Sequence, residues 1–340
     1  MKQTISLVTL AILAILAGCA APGTYYEESG SVFRTIYRIK YQSPRLLTEQ
    51  IEAELQAFNL SLNPFNPNSI ISKVNRNEPV EVDPWFAEVF RKAEEVSARS
   101  GGAFDATVAP LINLWGFGFS RMDSITPRMI DSIRTFVGYR KIRLEGTTVV
   151  KDDPRVILNF SAIAKGYACD VIARLLEREG VTNYMVEIGG EVAMRGINPN
   201  GECWRIGINK PQDDIEKPQD DIEGNIPELE DTVQPCKACG IATSGDYRNF
   251  YVRDGKKYAH TINPATGYPA AQNILSATVL AADCMTADAY ATAFMVMGIE
   301  RAVETARTID GIDYFFIYTD SDGNRLVSFS DGMQPYLLNR

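Results

Sequence analysis

The sequence predicts an α+β fold in which strands and helices are mixed instead of alternating as they would in a doubly wound sheet. Three observations carry that expectation. A chain of 340 residues with 45% hydrophobic content can bury a substantial core, which excludes disorder and a disulfide-stapled miniprotein. Segments of helical and strand periodicity follow one another in no regular order. Beyond the N-terminal run, no apolar stretch is long enough to span a bilayer, which takes about 20 residues. Length alone admits one large domain or two of moderate size.

Taken in order, Met1-Lys2 is a short basic start and Ile5 to Ala17 an almost continuous apolar run, short for a membrane span and suited to a signal-peptide core. It ends in Leu16-Ala17-Gly18-Cys19, similar to the bacterial lipobox, in which the cysteine is acylated and becomes the mature N-terminus. Residues 1–18 are therefore expected to be a lipoprotein signal peptide, Cys19 the lipidation site, and 19–30 a short tether. Several acyl chains on one cysteine would anchor the protein stably on a membrane, facing the periplasm or exterior.

Ser31–Tyr41 alternates as a strand, and Leu46–Phe58 reads as an amphipathic helix. Pro84–Ser100 is a second helix, opened by Asp83-Pro84 and closed by Gly101-Gly102. A short helix over Asp131–Gly138 precedes a hairpin over Lys141–Val150, turning at Glu145-Gly146. Val156–Phe160 reads as a strand, Ala168–Glu179 as a helix, and Tyr184–Ile188 as a buried strand running into Gly189-Gly190. Strands are also expected over Arg205–Asn209, Gly240–Ser244, Asn249–Val252, Ser276–Ala281 and Tyr314–Tyr318, and helices over Ala287–Gly298 and Glu300–Ile309.

The net charge of −9 argues against a general nucleic-acid binder. Much of it is local: Lys210–Gln234 holds nine acids and two bases. Within it, Lys210-Pro-Gln-Asp-Asp-Ile-Glu216 is repeated as Lys217-Pro-Gln-Asp-Asp-Ile-Glu223. The repeats lack the glycine and final glutamate of an EF-hand loop and are too apolar-poor for core, so a solvated insertion at about 210–235 is expected. Cys169, Cys203, Cys236, Cys239 and Cys284 follow Cys19, an odd number in an oxidising compartment. Cys236-Lys-Ala-Cys239 is a lone C-x-x-C, open to a local disulfide, free thiols or redox chemistry. His260 is the single histidine, so a multi-histidine metal site is excluded.

Four segments hold more glycine, small and polar residues than packing requires. Ser100–Leu111 is followed by Trp115-Gly-Phe-Gly118. Asn159–Tyr167 places small residues and Lys165 before a helix, where outward N–H groups suit phosphate, although it is not a Walker loop. Thr243–Arg248 is followed by Tyr258–Pro269, which sets His260 among hydroxyls beside Asn263-Pro264 and Thr266-Gly267. In Ala287-Asp-Ala-Tyr-Ala-Thr-Ala293, Asp288 and Thr292 lie one helical turn apart on one face. A carboxylate and a hydroxyl are hard donors that suit Mg²⁺ better than zinc.

Together these segments resemble the ApbE flavin transferase family, the FAD:protein FMN transferases. The resemblance runs from about Ser31 to the C-terminus and includes the lipobox. Its carriers are Gly102-Ala-Phe-Asp105, Ala162-Ile-Ala-Lys-Gly-Tyr167, Glu187-Ile-Gly-Gly-Glu191, Thr243-Ser-Gly-Asp246, His260 with its Asn263-Pro264 and Thr266-Gly267 turn, and Ala287-Asp288 with Thr292. It implies a single catalytic domain over 31–340 and Mg²⁺-dependent transfer of FMN from FAD to a Thr or Ser hydroxyl of a target flavoprotein, releasing AMP. Flavin-carrying subunits of membrane redox complexes are the implied acceptors. Mg²⁺ would be held by Asp288, Thr292 and the carbonyl of Ala162. FAD would lie among Phe33, Phe65, Ala103, Phe104, Asp105, Asn159, Lys165, Thr243, Ser244 and Ile262, with Phe65 standing where the family usually has a Tyr stacked on adenine. His260 is the natural base for the incoming hydroxyl, since its unperturbed pKa is about 6.5.

Three positions depart from the family pattern. Phe33-Arg34-Thr35 replaces Met-Gly-Thr, and Asn159 and Asn263 each replace an Asp. Arg34 and Asn159 motivate a competing reading, an FAD-binding lipoprotein without turnover, and the same site with water as nucleophile gives a second, an FAD pyrophosphatase.

Overall fold

The computed structural model describes residues 23–117, 125–211, 228–245, 250–253, 256–270 and 272–340. The signal peptide with Cys19, both acidic repeats beyond Pro211, and Asp246–Arg248 of the third glycine-rich segment lie outside them.

In chain order the elements are β1 (Thr24–Val32), β2 (Thr35–Ser43), α1 (Thr48–Leu62), α2 (Ile70–Asn75), α3 (Pro84–Arg99), α4 (Ala109–Leu114) and α5 (Pro127–Arg134). A hairpin of β3 (Ile142–Glu145) and β4 (Thr148–Lys151) leads to α6 (Ala164–Arg178), β5 (Tyr184–Ile188), β6 (Glu191–Arg195), β7 (Ile206–Asn209), β8 (Leu229–Val233) and β9 (Cys239–Gly245). Then come β10 (Phe250–Arg253), β11 (Lys256–Ala259), β12 (Ile274–Ala281), α7 (Cys284–Met297), α8 (Ile299–Ala306), β13 (Ile312–Thr319) and β14 (Arg325–Phe329). The mixed α+β expectation holds.

Eight strands form one antiparallel sheet in the order β1-β2-β5-β6-β9-β12-β13-β14. Strand alternation divides its side chains between two layers. Val186, Ala193, Ala242, Val279 and Phe316 face a core shared with the helices, while Met194, Ile241, Leu280 and Phe315 face a second cluster with Trp204, Ile208 and Val233 of the β7–β8 ribbon region. α7 is buried nearly all round, as a helix apolar on every side must be. Its first N–H groups are satisfied by two carboxylates: Asp283 accepts from Thr286 at 2.7 Å, and Asp170 on α6 accepts from Cys284 and Met285, each at 2.8 Å. Glycine lets neighbouring backbones approach at both contacts of this helix. A Cβ at Gly240 of β9 would stand 2.2 Å from the Cys284 nitrogen, and one at Gly166 of α6 would stand 2.3 Å from the Cys284 oxygen.

The helix opened by Asp83-Pro84 forms as expected, with Asp83 accepting from the Phe86 N–H at 2.8 Å. Two expectations need correction, and one question left open is settled. Thr24–Gly30, expected within the tether, belongs to β1 and pairs along β2 from Thr24↔Ser43 to Val32↔Thr35. Val156–Phe160 is not a strand, because the Asn75 side chain takes both backbone groups of Leu158 (2.8 Å each) and Asn159 donates to the Ala106 carbonyl at 2.7 Å. The C-x-x-C does not close on itself: Cys236 is bonded to Cys203, across a Cα–Cα distance of 5.1 Å, and Cys239 is a buried free thiol, as are Cys169 and Cys284. Burial pushes the Cys239 thiol up to about 12, which removes the thiolate that redox chemistry needs.

Candidate functional site

Two cavities, of about 390 and 430 Å³, adjoin at the end of the helical layer and share Ile112, Asn159, Ser161, Lys165, Gly189 and His260 in their walls. The inner one is also lined by Ala103, Phe104, Asp105, Ala162, Thr243, Ser244, Ile262, Asp288 and Thr292. Phe33, Arg34 and Phe65 line the outer one. Every site residue expected from the sequence, apart from Cys19, therefore lies on a single two-chambered cleft.

The inner wall is built from buried parts of the fold. Asp288, 3% exposed, projects from the second turn of α7 and accepts the Gly166 N–H of α6 at 3.0 Å. Burial pushes its carboxyl up to about 7, with the neighbouring Glu191 charge adding to the rise and Lys165 and the Gly166 N–H opposing it. Lys165, in the first turn of α6, is ion-paired to Glu191, which opens β6. The other oxygen of Glu191, Oε2, is buried with no hydrogen-bond partner among the described residues. One turn beyond Asp288, the Thr292 hydroxyl lies 3.3 Å from that of Ser244 on β9, whose neighbour Thr243 bonds Thr278 across the sheet at 2.8 Å.

These residues fit a hard cation. They offer a buried carboxylate, hydroxyls and the adjacent Ala162 backbone, beside an orphaned carboxylate oxygen. Among the described residues no three His, Cys, Asp or Glu side chains cluster as a metal site. A cation here would thus take further ligands from water and substrate phosphates, the habit of Mg²⁺.

Asp105 lines the inner cavity, but its oxygens are engaged elsewhere. Oδ1 accepts from the Thr107 N–H and hydroxyl at 2.8 and 2.6 Å, and Oδ2 from the Tyr139 N–H at 2.8 Å. Burial raises its pKa and these bonds oppose the rise, so the group braces the pocket loop. His260 follows β11 and borders both cavities, its ring edge-on to Phe117 at 6.4 Å. The turn after it is held by Asn263, whose Oδ1 accepts from Ala265 and Thr266 at 2.9 and 3.3 Å, and by Trp115, which donates to the Gly267 carbonyl at 2.8 Å. Asn159 Oδ1 likewise accepts the Ser161 N–H at 2.8 Å. Both asparagines do in these turns what an aspartate would, accepting backbone N–H groups.

Glu191, Ser161 and Gly189 are cleft residues that the sequence reading did not assign. Glu191 had a signal, an acid straight after a Gly-Gly turn that ends a buried strand.

The ApbE family model matches residues 33–316. The FAD:protein FMN transferase of Vibrio cholerae is 37% identical over 97% of this chain and 98% of its own length. That of Haemophilus influenzae is 35% identical over 94% and 95% respectively. The solved structure of flavin transferase ApbE from Vibrio cholerae matches with a TM-score of 0.81 at 36% identity, covering 93% of this chain and all (100%) of the other. The apo form of Pseudomonas stutzeri flavinyl transferase ApbE matches with a TM-score of 0.79 at 28% identity, covering 94% and 98%. With the model and the relatives spanning nearly the whole fold and its cleft, this chain belongs to the ApbE family.

Proposed function

We infer that this protein is an FAD:protein FMN transferase, which moves FMN from FAD to a protein and releases AMP. The observation that carries the reading is the layout of the cleft: Lys165 and His260 border both chambers, so a dinucleotide lying across them presents its pyrophosphate at their junction. The acceptor is a Thr or Ser hydroxyl. As its oxygen bonds to the phosphorus of the FMN half, its proton passes to His260 and the bond to the AMP phosphate breaks. Lys165 offsets charge on the phosphates, and Phe65 offers its half-exposed ring to the adenine. Asp288, Thr292 and the Ala162 carbonyl would hold Mg²⁺, which supplies charge neutralisation and in-line alignment.

The membrane placement belongs to the same proposal. No helix among the described residues is long and apolar enough to cross a membrane. Acylation at Cys19 would leave four residues before β1, a reach of roughly 17 Å for the five peptide steps, and hold the catalytic domain against the periplasmic membrane surface beside flavin-carrying subunits of redox complexes.

The test incubates the full chain, in detergent, with FAD, Mg²⁺ and an acceptor domain whose target Thr is unmodified, read by in-gel fluorescence and intact mass. An FMN-sized gain on the acceptor, lost in His260→Ala and Asp288→Ala, is expected. AMP and free FMN without a gain would turn the reading to hydrolysis, and intact FAD would mean a binding protein.

A further inference from the structure

Two tight hairpin turns meet at the cleft, and they solve one backbone problem differently. Between β5 and β6 the turn residues are Gly189 and Gly190, with φ of 67° and 98°. Between β1 and β2 they are Phe33 and Arg34, with φ of 53° and 63°. Both central positions of such a turn need the left-handed region, which glycine enters freely and bulky side chains rarely do. Strain kept beside a ligand cleft is a pointer to function. Here it fixes where two side chains go. Phe33 packs on Phe58 with ring centroids 5.3 Å apart, while the Arg34 guanidinium lies 4.5 Å over the ring of Phe65 in the outer cavity.

We propose that Arg34 is a specificity-determining residue for the AMP half of FAD, its guanidinium forming with the Phe65 ring the two faces of a slot that takes the adenine. The proposal rests on the FAD reading of the cleft and adds to it a residue that departs from the family's usual glycine. A planar, delocalised cation stacks on aromatic faces and needs no fixed hydrogen-bond partner to do so. A base between two flat groups needs them roughly 7 Å apart, two van der Waals contacts. Arg34 therefore swings outward by about one ring thickness when the base enters, which its exposed side chain allows, while the hairpin holds its Cα in place. Without ligand, the guanidinium covers the ring in the base's stead.

The experiment measures AMP and FMN binding, each with Mg²⁺, by calorimetry on the full chain in detergent, comparing wild type with Arg34→Gly and Arg34→Lys. Glycine suits the backbone at this position, so Arg34→Gly should melt no lower than wild type. Loss of the stacking cation is expected to weaken AMP roughly two- to thirtyfold, with FMN affinity within twofold of wild type and Arg34→Lys intermediate. Undiminished or tighter AMP binding in Arg34→Gly would overturn the proposal, showing that the arginine only covers Phe65. A loss confined to FMN would overturn it by assigning the residue to the flavin half. Wild-type protein that binds neither FMN nor AMP would remove the FAD reading itself, and this proposal with it.

Discussion

The two chambers of the cleft differ in the walls they do not share. The inner one takes Lys165, Asp288, Thr292, Glu191, Thr243 and Ser244 from α6, α7, β6 and β9, packed so closely that Gly166 and Gly240 have no room for a Cβ, and the first N–H groups of α7 are occupied by Asp170 and Asp283. The outer one shares walls on α4 and α6 and adds to them the end of α1, the β1–β2 turn and the loop that carries Phe65, which is 42% exposed. Charge on a pyrophosphate must be met by groups already in place, because reorganising them at the moment of reaction costs rate. A stacked base tolerates any flat face. On the proposed reading, rigidity lies where charge is handled, and the departures at Arg34 and Phe65 fall where a ring would be sandwiched.

The contrast can be broken. Asp288→Asn should give the largest effect: it keeps an oxygen for the Gly166 N–H but loses the charge, and acceptor flavinylation should fall at least about a hundredfold without loss of secondary structure by circular dichroism. Gly166→Ala should come next. Its new Cβ would lie 2.3 Å from the Cys284 oxygen and 2.8 Å from the Asp288 Cβ, so urea unfolding should show a loss of about 1–3 kcal/mol. An unchanged midpoint would mean that the inner wall is not rigid at all.

Asp170 sharpens the comparison through pH. Burial pushes its carboxyl up to about 7, against the pull of the Cys284 and Met285 N–H groups. Unfolded, an aspartate titrates near 3.9, so between roughly pH 4 and 7 the folded chain binds a proton that the unfolded chain does not. This contribution to stability is whole below about pH 4, is lost as pH rises through 7, and is flat above. Urea unfolding at pH 5 and 8 should therefore show a larger decline in wild type than in Asp170→Asn. The smallest effect belongs to the outer chamber: Phe65→Tyr keeps the stacking face, and FAD affinity measured by flavin fluorescence quenching should stay within about twofold.

What the sequence disclosed follows from how local the signal is. Asp288 and Thr292 are legible because helical spacing alone puts them on one face, and Asp83-Pro84 because capping is local chemistry. Glu191 escapes assignment because its partner Lys165 is 26 positions away, joined only by the packing of α6 on the sheet. Val156–Phe160 misleads because apolar periodicity cannot show that Asn75 will act as the pairing strand for Leu158. Thr24–Gly30 is too polar to announce an edge strand that depends on β2 for its register. The cysteines stay undecided in the sequence for the same reason: only the fold brings Cys203 to Cys236.

That bond changes the connectivity of the molecule. Cys203 and Cys236 close a covalent ring of the chain that holds the β7–β8 ribbon, whose Ile208 and Val233 pack on the sheet face opposite the helical layer. Cutting any peptide bond inside the ring leaves one molecule, running as a single band until a reductant parts it into two fragments. The two halves of the chain on either side of the ring thus stay covalently joined through two sulfurs even when the backbone between them is cut.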